Sequence, residues 1–228
     1  MSEATVAAAP DPTLANAAPA EAGANDGTAP IASSAQLRGE KWQSLQRDAL
    51  QFMGDLETLR DRDRGALAAL RRNAGATLEN ARGVAWIHGR LQGVRRAYDE
   101  KYFLVATLFD WNRKRPSSGD FGTTMRMLAD KAGAEAVERR FLVLLDAAFD
   151  PLFDAQDGFK TGGGELAFRL RQMVKLAASK EIGINWPILL ADLCFWDAPD
   201  KRVQKKWARN FYAPGLRDEN TLTAPKGD

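Results

Sequence analysis

Apolar residues recur at helical spacing along most of the chain, from Gln36 to Tyr212, and this periodicity limits the possible folds more than any other feature. Spacings of three and four residues place side chains on one face of an α-helix. No stretch of useful length alternates apolar and polar residues as a β-strand does. We therefore predict an all-α fold made of two packed helical bundles.

The predicted lobes are residues 36–115 and 116–213, because Pro, Gly and Ser crowd the segment 112–124 between them. Residues 1–35 are rich in Ala and Pro and carry almost no large apolar groups, so we predict a disordered N-terminal tail. We expect residues 214–228 to form a flexible C-terminal tail.

Seven apolar patterns precede the last pair of helices, and a Gly-rich loop at 154–164 separates the sixth from the seventh. The predicted helices pass through Trp42–Leu56, Ala66–Leu70 with Gly75 as its C-cap, Val84–Tyr98, 101–111 (buried), 123–132, Val137–Ala148 and Leu166–Ala177.

The final pair, residues 185–212, begins with a short helix that is apolar on nearly every side and is therefore predicted to be buried. Asn185 is its expected N-cap, with Pro187 in the first turn. Asp197 is the expected N-cap of the following helix. We also predict that Trp186, Trp196 and Trp207 belong to the core.

That last helix has two unlike faces. Val203, Trp207, Asn210 and Phe211 form its predicted packing face. The opposite arc is almost purely cationic and consists of Lys201, Arg202, Lys205, Lys206 and Arg209.

Overall charge permits contact with nucleic acid without requiring it. The formal net charge is +2, but residues 1–34 hold four acids and no Lys or Arg. The remainder has 32 basic and 26 acidic residues, a net charge of +6. A single cysteine, the absence of a secretory signal pattern and the absence of an 18-residue apolar run predict a cytoplasmic protein with no membrane segment.

The chain lacks the usual residues of an active site. It has one histidine, His88, and one cysteine, Cys194, so a zinc site with several His or Cys ligands is impossible. The glycines at 162–164 lack the lysine and hydroxyl residue of a phosphate-binding P-loop. We predict no catalytic residues, no metal, no cofactor and no enzymatic activity.

Basic residues form four clusters that are candidates for phosphate contact. The alternative for each is a solvated charged face. Arg169, Arg171 and Lys175 are expected to extend the cluster of Arg126, Arg139 and Arg140, and a separate cluster is the loop Arg113–Arg115. The predicted nucleic-acid-binding residues come from the other three: Arg71 and Arg72; Arg126, Arg139 and Arg140; and Lys201, Arg202, Lys205, Lys206 and Arg209.

The segments 139–147 and 170–212, the latter containing NWPILLADLCFWDAPDKRVQKKWARNFY, carry a resemblance to a known family. Together with 66–75 and 119–129 they make the chain similar to the small subunit of type I-E CRISPR Cascade, the CasB family. The resemblance covers about residues 36–213. Both tails and the length of the 154–164 loop lie outside the family pattern.

The resemblance implies a non-enzymatic two-lobed helical protein within a ribonucleoprotein complex. It implies contacts with a second copy of itself, with the backbone and large subunits, and with crRNA and the target and displaced DNA strands. It also implies that the protein helps to hold the opened R-loop. Two alternatives remain open from the residues alone, namely a free-standing single-strand-binding protein and a protein–protein scaffold whose basic helix docks an acidic partner.

Overall fold

The fold is built from α-helices, and the computed structural model describes residues 34–114, 116, 118–150 and 164–213, with side chains from Gly39 onward. No β-strand occurs in these ranges, which confirms the predicted all-α class. The helices are α1 (Ser34–Arg62), α2 (Arg64–Arg72), α3 (Ile87–Arg90), a 3-10 turn (Arg96–Tyr98), α4 (Asp99–Phe109), α5 (Phe121–Ala132), α6 (Ala134–Asp146), α7 (Gly164–Ser179), α8 (Trp186–Cys194) and α9 (Arg202–Phe211).

The helices pack in two groups around one continuous hydrophobic core. Helices α1, α2 and α4 belong to the first group, and α5, α6, α7 and α9 to the second. Helix α8 lies in the range predicted for the C-terminal lobe, yet it packs against α1 and α4. Its Trp186 ring meets the ring of Phe109 edge to face, with centres 5.8 Å apart. The lobe boundary at 115/116 stays a prediction.

Helix α4 forms the centre of the first group, and all its residues from Lys101 to Phe109 are buried. The buried ammonium of Lys101 is neutralised by Asp197, whose Oδ2 lies 2.5 Å from Nζ. The prediction of a buried helix over 101–111 is therefore confirmed for 101–109, where α4 ends, while Trp111 lies beyond the helix and is half-buried. The burial of α8 is also confirmed, and Asn185 accepts a hydrogen bond from the Ile188 amide at 3.3 Å as the expected N-cap.

Helix α5 supports α9 in the second group. Asp120 caps α5 by accepting a hydrogen bond from the Thr123 amide at 3.1 Å. One residue into the helix, Gly122 lets the two backbones touch, because a Cβ at this position would lie 2.1 Å from the carbonyl oxygen of Trp207. The fold thus holds α9 by its backbone as well as by its side chains.

Three local predictions were wrong. The continuous helix through Val84–Tyr98 is instead the single turn α3 and a separate 3-10 turn, since Gly89 and Gly93 weaken a helical pattern that tertiary packing does not restore. Helix α2 ends at Arg72 with Asn73 as its C-cap, and Gly75 adopts its positive φ of 99° two residues later.

The third concerns the start of α9. Asp197 does not cap this helix, because its carboxylate pairs with Lys101 and the helix begins only at Arg202. Lys201 occupies the N-cap position in the left-handed conformation, with φ 48°. Asp200 Oδ1 accepts a hydrogen bond from the Arg202 amide at 3.3 Å.

Several predicted segments lie outside the described residues. These are residues 1–33 of the predicted N-terminal tail, the 154–164 loop up to residue 163, Arg115 and the C-terminal tail. The last two residues of the predicted N-terminal tail, 34 and 35, belong to α1.

Candidate nucleic-acid interface

Helix α9 is anchored to the core by one face. Val203, Trp207 and Phe211 are buried, and the Trp207 ring packs against the rings of Phe121 and Trp196, each with its centre 5.0 Å away. Trp186, Trp196 and Trp207 are all buried, which confirms the prediction that they belong to the core.

Beneath α9 lies a buried polar cluster built around Asp192 of α8. Asp192 is fully buried, and its Oδ2 accepts a hydrogen bond from Trp207 Nε1 at 2.7 Å. Its Oδ1 accepts one from the ammonium of Lys206. Lys206 also lies 4.0 Å from Asp120 Oδ2, which in turn accepts a hydrogen bond from Asn210 Nδ2 at 2.7 Å.

Burial disfavours the negative charge on Asp192, the central carboxylate of this cluster. Burial raises the pKa of Asp192 to about 6, although the neighbouring Lys206 and the hydrogen bonds from Lys206 and Trp207 oppose this rise. A buried carboxylate needs such partners to remain charged. The Lys206 ammonium is therefore committed to the fold.

The predicted cationic arc of α9 consequently divides into two sets. Lys206 points inward to Asp192 and lies 4.7 Å from the centre of the Trp42 ring. Arg202 stacks on Phe195, with its guanidinium carbon 4.3 Å from the ring centre. Both cations line a cavity of about 280 Å³ between α1, α8 and α9.

The second set faces solvent and consists of Lys201, Lys205 and Arg209. None of their side chains forms an ion pair or hydrogen bond with another described residue. We call these three residues the α9 trio. They are the members of the arc that can bind an external anion without breaking an internal contact.

The cluster of Arg126, Arg139 and Arg140 lies on the two helices next to the end of α9. Arg126 on α5 donates a hydrogen bond to the Ala213 carbonyl at 3.2 Å and is half-buried. Arg139 and Arg140 are exposed on α6, and the same helix is tied to α9 by a 2.6 Å hydrogen bond from the Tyr212 hydroxyl to Glu138.

A second basic surface surrounds Trp111, at the end of α4. The ring of this half-buried tryptophan contacts Lys175, whose Nζ lies 3.7 Å from the ring centre, and Arg71, whose guanidinium carbon lies 5.5 Å away. Arg71 and Arg113 share the buried carboxylate of Asp110, at 3.5 and 2.5 Å respectively. Arg72 is exposed next to Arg71.

Helix α7 extends this surface with a row of side chains. Arg171 donates a hydrogen bond to the Ala74 carbonyl at 2.7 Å, and the guanidinium carbons of Arg169 and Arg171 lie 5.6 and 5.8 Å from the ring centre of Phe168. We define the Trp111 surface as Arg71, Trp111, Arg113, Phe168, Arg171 and Lys175. The prediction that Arg169, Arg171 and Lys175 extend the Arg126 cluster was wrong, since Arg171 and Lys175 join Arg71 and Arg113. Arg169 pairs with Glu165 on its own helix, at 3.1 Å.

Sequence reasoning missed Trp111 and Phe168 as members of a surface. The spacing of Phe168, Arg171 and Lys175 at i, i+3 and i+7 is visible in the sequence and places them on one helix face. The position of Trp111 against that face is not visible, because it depends on how α4 and α7 pack.

In the ranges that the structure covers, no cluster of His, Cys, Asp and Glu is arranged to hold a metal ion. No helix within those ranges is long and apolar enough to cross a membrane. The described residues thus define a class of small helical protein that carries two basic surfaces.

Comparison with known proteins identifies a family within this class. Residues 66–212 match the family described as CRISPR-associated protein Cse2. A protein of that name from Thermus thermophilus is 37% identical over 127 residues, which are 55% of this chain and 63% of the relative. This chain therefore covers less than two thirds of that relative's length.

Solved structures agree with this match. The crystal structure of a Cse2-family protein from Thermus thermophilus is similar with a TM-score of 0.57 and 30% identity, over 73% of this chain and 98% of that one. The crystal structure of M. ruber CasB is similar with a TM-score of 0.58 and 30% identity, over 78% and 98%. The chain belongs to the Cse2 family, also named CasB, and the predicted family is confirmed.

A third solved relative shows the fold alone. It is a chain of a structure titled "CRISPR RNA-guided surveillance complex", with a TM-score of 0.57 and 20% identity over 78% of this chain and 97% of that one.

Proposed function

We propose that this chain is a non-catalytic subunit of a Cascade-type CRISPR RNA-guided surveillance complex, in which the α9 trio contacts nucleic-acid backbone. Family membership and a fold shared with a chain of such a complex support the first part. The observation that carries the second part is the division of the α9 cations, which leaves Lys201, Lys205 and Arg209 exposed and without described partners.

Positively charged side chains are suited to holding an opened duplex. RNA-guided recognition assigns sequence choice to base pairing, while protein contacts stabilise the opened duplex. The displaced strand is a flexible polyanion that re-anneals unless it is held. Lys and Arg on a helix face neutralise phosphates without reading sequence, so they lower the free energy of the open R-loop.

The packing of α9 against the core also favours phosphate binding by the α9 trio. The buried face of α9 and the Lys206–Asp192 pair hold the helix in place before any ligand arrives. A preorganised surface loses less conformational entropy on binding. In this proposal Arg126, Arg139, Arg140, Arg71 and Arg72 add further backbone contacts.

The proposed partners are the backbone and large subunits, crRNA, the target and displaced DNA strands, and a second copy of this chain. The test is reconstitution of the complex with its cognate subunits and crRNA, followed by measurement of target-DNA affinity against salt concentration. The variants are Lys205→Ala with Arg209→Ala, and a control in which exposed Arg62 and Arg64, outside both surfaces, are changed to Ala.

We expect both variants to co-purify with the complex. The Lys205/Arg209 variant should bind target DNA more weakly, with a salt dependence reduced by about one to two counterions. The control should match the wild type. Failure of the wild-type chain to co-purify would refute the subunit assignment, whereas loss of assembly in the Lys205/Arg209 variant alone would favour the scaffold alternative. Unchanged DNA affinity in that variant would refute the role of the trio.

A further inference from the structure

The Trp111 surface brings together cations from three separate parts of the chain. Arg71 comes from the end of α2, Arg113 from the segment after α4, and Arg171 and Lys175 from α7. Arg71 and Lys175 lie over the half-buried ring of Trp111, and Arg171 lies beside the exposed ring of Phe168. Arg113 joins them through Asp110, which it shares with Arg71. Such convergence is a product of tertiary packing rather than of a charged run along one helix.

These cations are incompletely neutralised. Of the four, only Arg71 and Arg113 pair with a carboxylate in the described part of the chain, and they share the same one, Asp110. Four positive charges against one negative charge leave a net charge of +3. Burial and the nearby Arg171 lower the pKa of Lys175 from its usual value. A bound anion would relieve this mutual repulsion.

The aromatic component gives the surface a second recognition property. Phe168 is 41% exposed, and two guanidinium groups flank its ring. Exposed aromatic rings within a basic groove are the usual platforms for unpaired bases, since every base has a face that can stack. On α7 the row of Phe168, Arg171 and Lys175 spans about 10 Å at the helical rise per residue.

We propose that the Trp111 surface is a binding site for single-stranded nucleic acid, in which one unpaired base stacks on Phe168 and Arg113, Arg171 and Lys175 contact the flanking phosphates. An acidic peptide would satisfy the cations but would leave the exposed ring without a role, so the combination favours a nucleic acid. This inference deepens the proposed function, from which it takes the presence of single strands near the subunit.

The test separates base stacking from phosphate contact. Binding of the full chain to a fluorescent single-stranded oligonucleotide is compared, at low salt, with binding to an abasic oligonucleotide of the same length and charge. The variants are Phe168→Ala, Phe168→Leu, which keeps apolar bulk without a ring, and Phe168→Trp, which keeps a ring. Circular dichroism and melting temperature report whether each variant is folded.

Phe168→Ala and Phe168→Leu should weaken binding to the base-containing strand by about 5- to 150-fold, the range expected for one stacked base. Neither should alter binding to the abasic strand, and Phe168→Trp should restore affinity. Equal losses on both strands, or no loss on either, would overturn the inference, as would a wild-type chain that binds polyglutamate but neither oligonucleotide.

The same assay distinguishes this inference from the proposed function. If Lys205→Ala with Arg209→Ala lowers affinity and Phe168→Ala does not, the α9 trio stands and the stacking site is refuted. If Phe168→Ala lowers affinity for the base-containing strand alone and the trio variant does not, the stacking site stands and the role of the trio is refuted.

Discussion

The α9 surface and the Trp111 surface use the same residue types in different ways. At α9, the cations lie along one helix and its N-cap; Lys206 pairs with carboxylates that are part of the core, and Arg202 stacks on Phe195. At Trp111, several elements supply the cations, and the rings beneath them are themselves partly exposed. The comparison teaches that the inner charge at α9, on Lys206, is coupled to stability through a fully buried carboxylate, whereas the cations at Trp111 outnumber the one carboxylate that they share.

The largest difference in stability between the two surfaces is expected when the tryptophan under each one is removed. Trp207 is fully buried and contacts two other rings, so Trp207→Ala should lower the free energy of unfolding by about 3–5 kcal/mol. Trp111 is half-buried, and Trp111→Ala should cost about 1–2 kcal/mol. Urea denaturation measures both; equal losses would contradict the distinction between the two surfaces.

Removal of the carboxylate at each surface should give the next largest effect. Asp192→Ala leaves the buried Trp207 Nε1 without an acceptor and Lys206 without its partner, so we expect a loss of about 2–4 kcal/mol. Asp110→Ala releases two half-exposed arginines that water can solvate, at a cost of less than about 1 kcal/mol.

The Asp192→Ala and Asp110→Ala variants should also differ in their affinity for single-stranded oligonucleotides. Asp110→Ala removes a negative charge from the Trp111 surface and should raise affinity for single strands, most clearly at low salt. Weaker binding by this variant would show that Asp110 positions Arg71 and Arg113 rather than merely neutralising them.

A smaller change in stability is expected when alanine replaces a glycine, and its sign should depend on the space around that glycine. Gly122→Ala places a methyl group against the α9 backbone, so it should destabilise the protein by about 1–3 kcal/mol. Gly54, exposed on α1 with no atom near its potential Cβ, is the matched control. Gly54→Ala should stabilise by up to about 1 kcal/mol through helix propensity. If both changes prove neutral, the close approach of α5 and α9 is not a constraint.

A pH dependence is also expected at the α9 surface. The pKa of Asp192 is raised from 3.8 to about 6 by burial, so between these values the folded chain binds more protons than the unfolded chain. The free energy of unfolding contributed by Asp192 therefore falls as pH rises from about 4 to about 6, and it is constant above that. Asp192→Asn should remove this component, seen as the difference between wild-type and variant stability curves. Parallel curves would show that Asp192 does not titrate in this range.

Much of the fold could be predicted because its signals are local. The buried helices α4 and α8, the cap at Asn185 and the core tryptophans follow from periodicity and side-chain chemistry within a few residues. The failures at Val84–Tyr98 and at Asp197 have different causes: Gly89 and Gly93 weaken the first helix locally, whereas a distant partner removes Asp197 from the start of α9. Asp197 pairs with Lys101, 96 residues away, and no local pattern reveals that partner.

The sequence by itself determined the all-α class, the family and the presence of a cationic face on α9, because helical periodicity and residue order are properties of the linear chain. Only the tertiary structure decided which cations are available. Packing of α8 beneath α9 commits Lys206 to Asp192, and packing of α7 beside α4 brings Lys175 to Trp111. The physical reason is that a charge is free or neutralised according to what lies within a few ångströms of it, and those neighbours are distant in sequence.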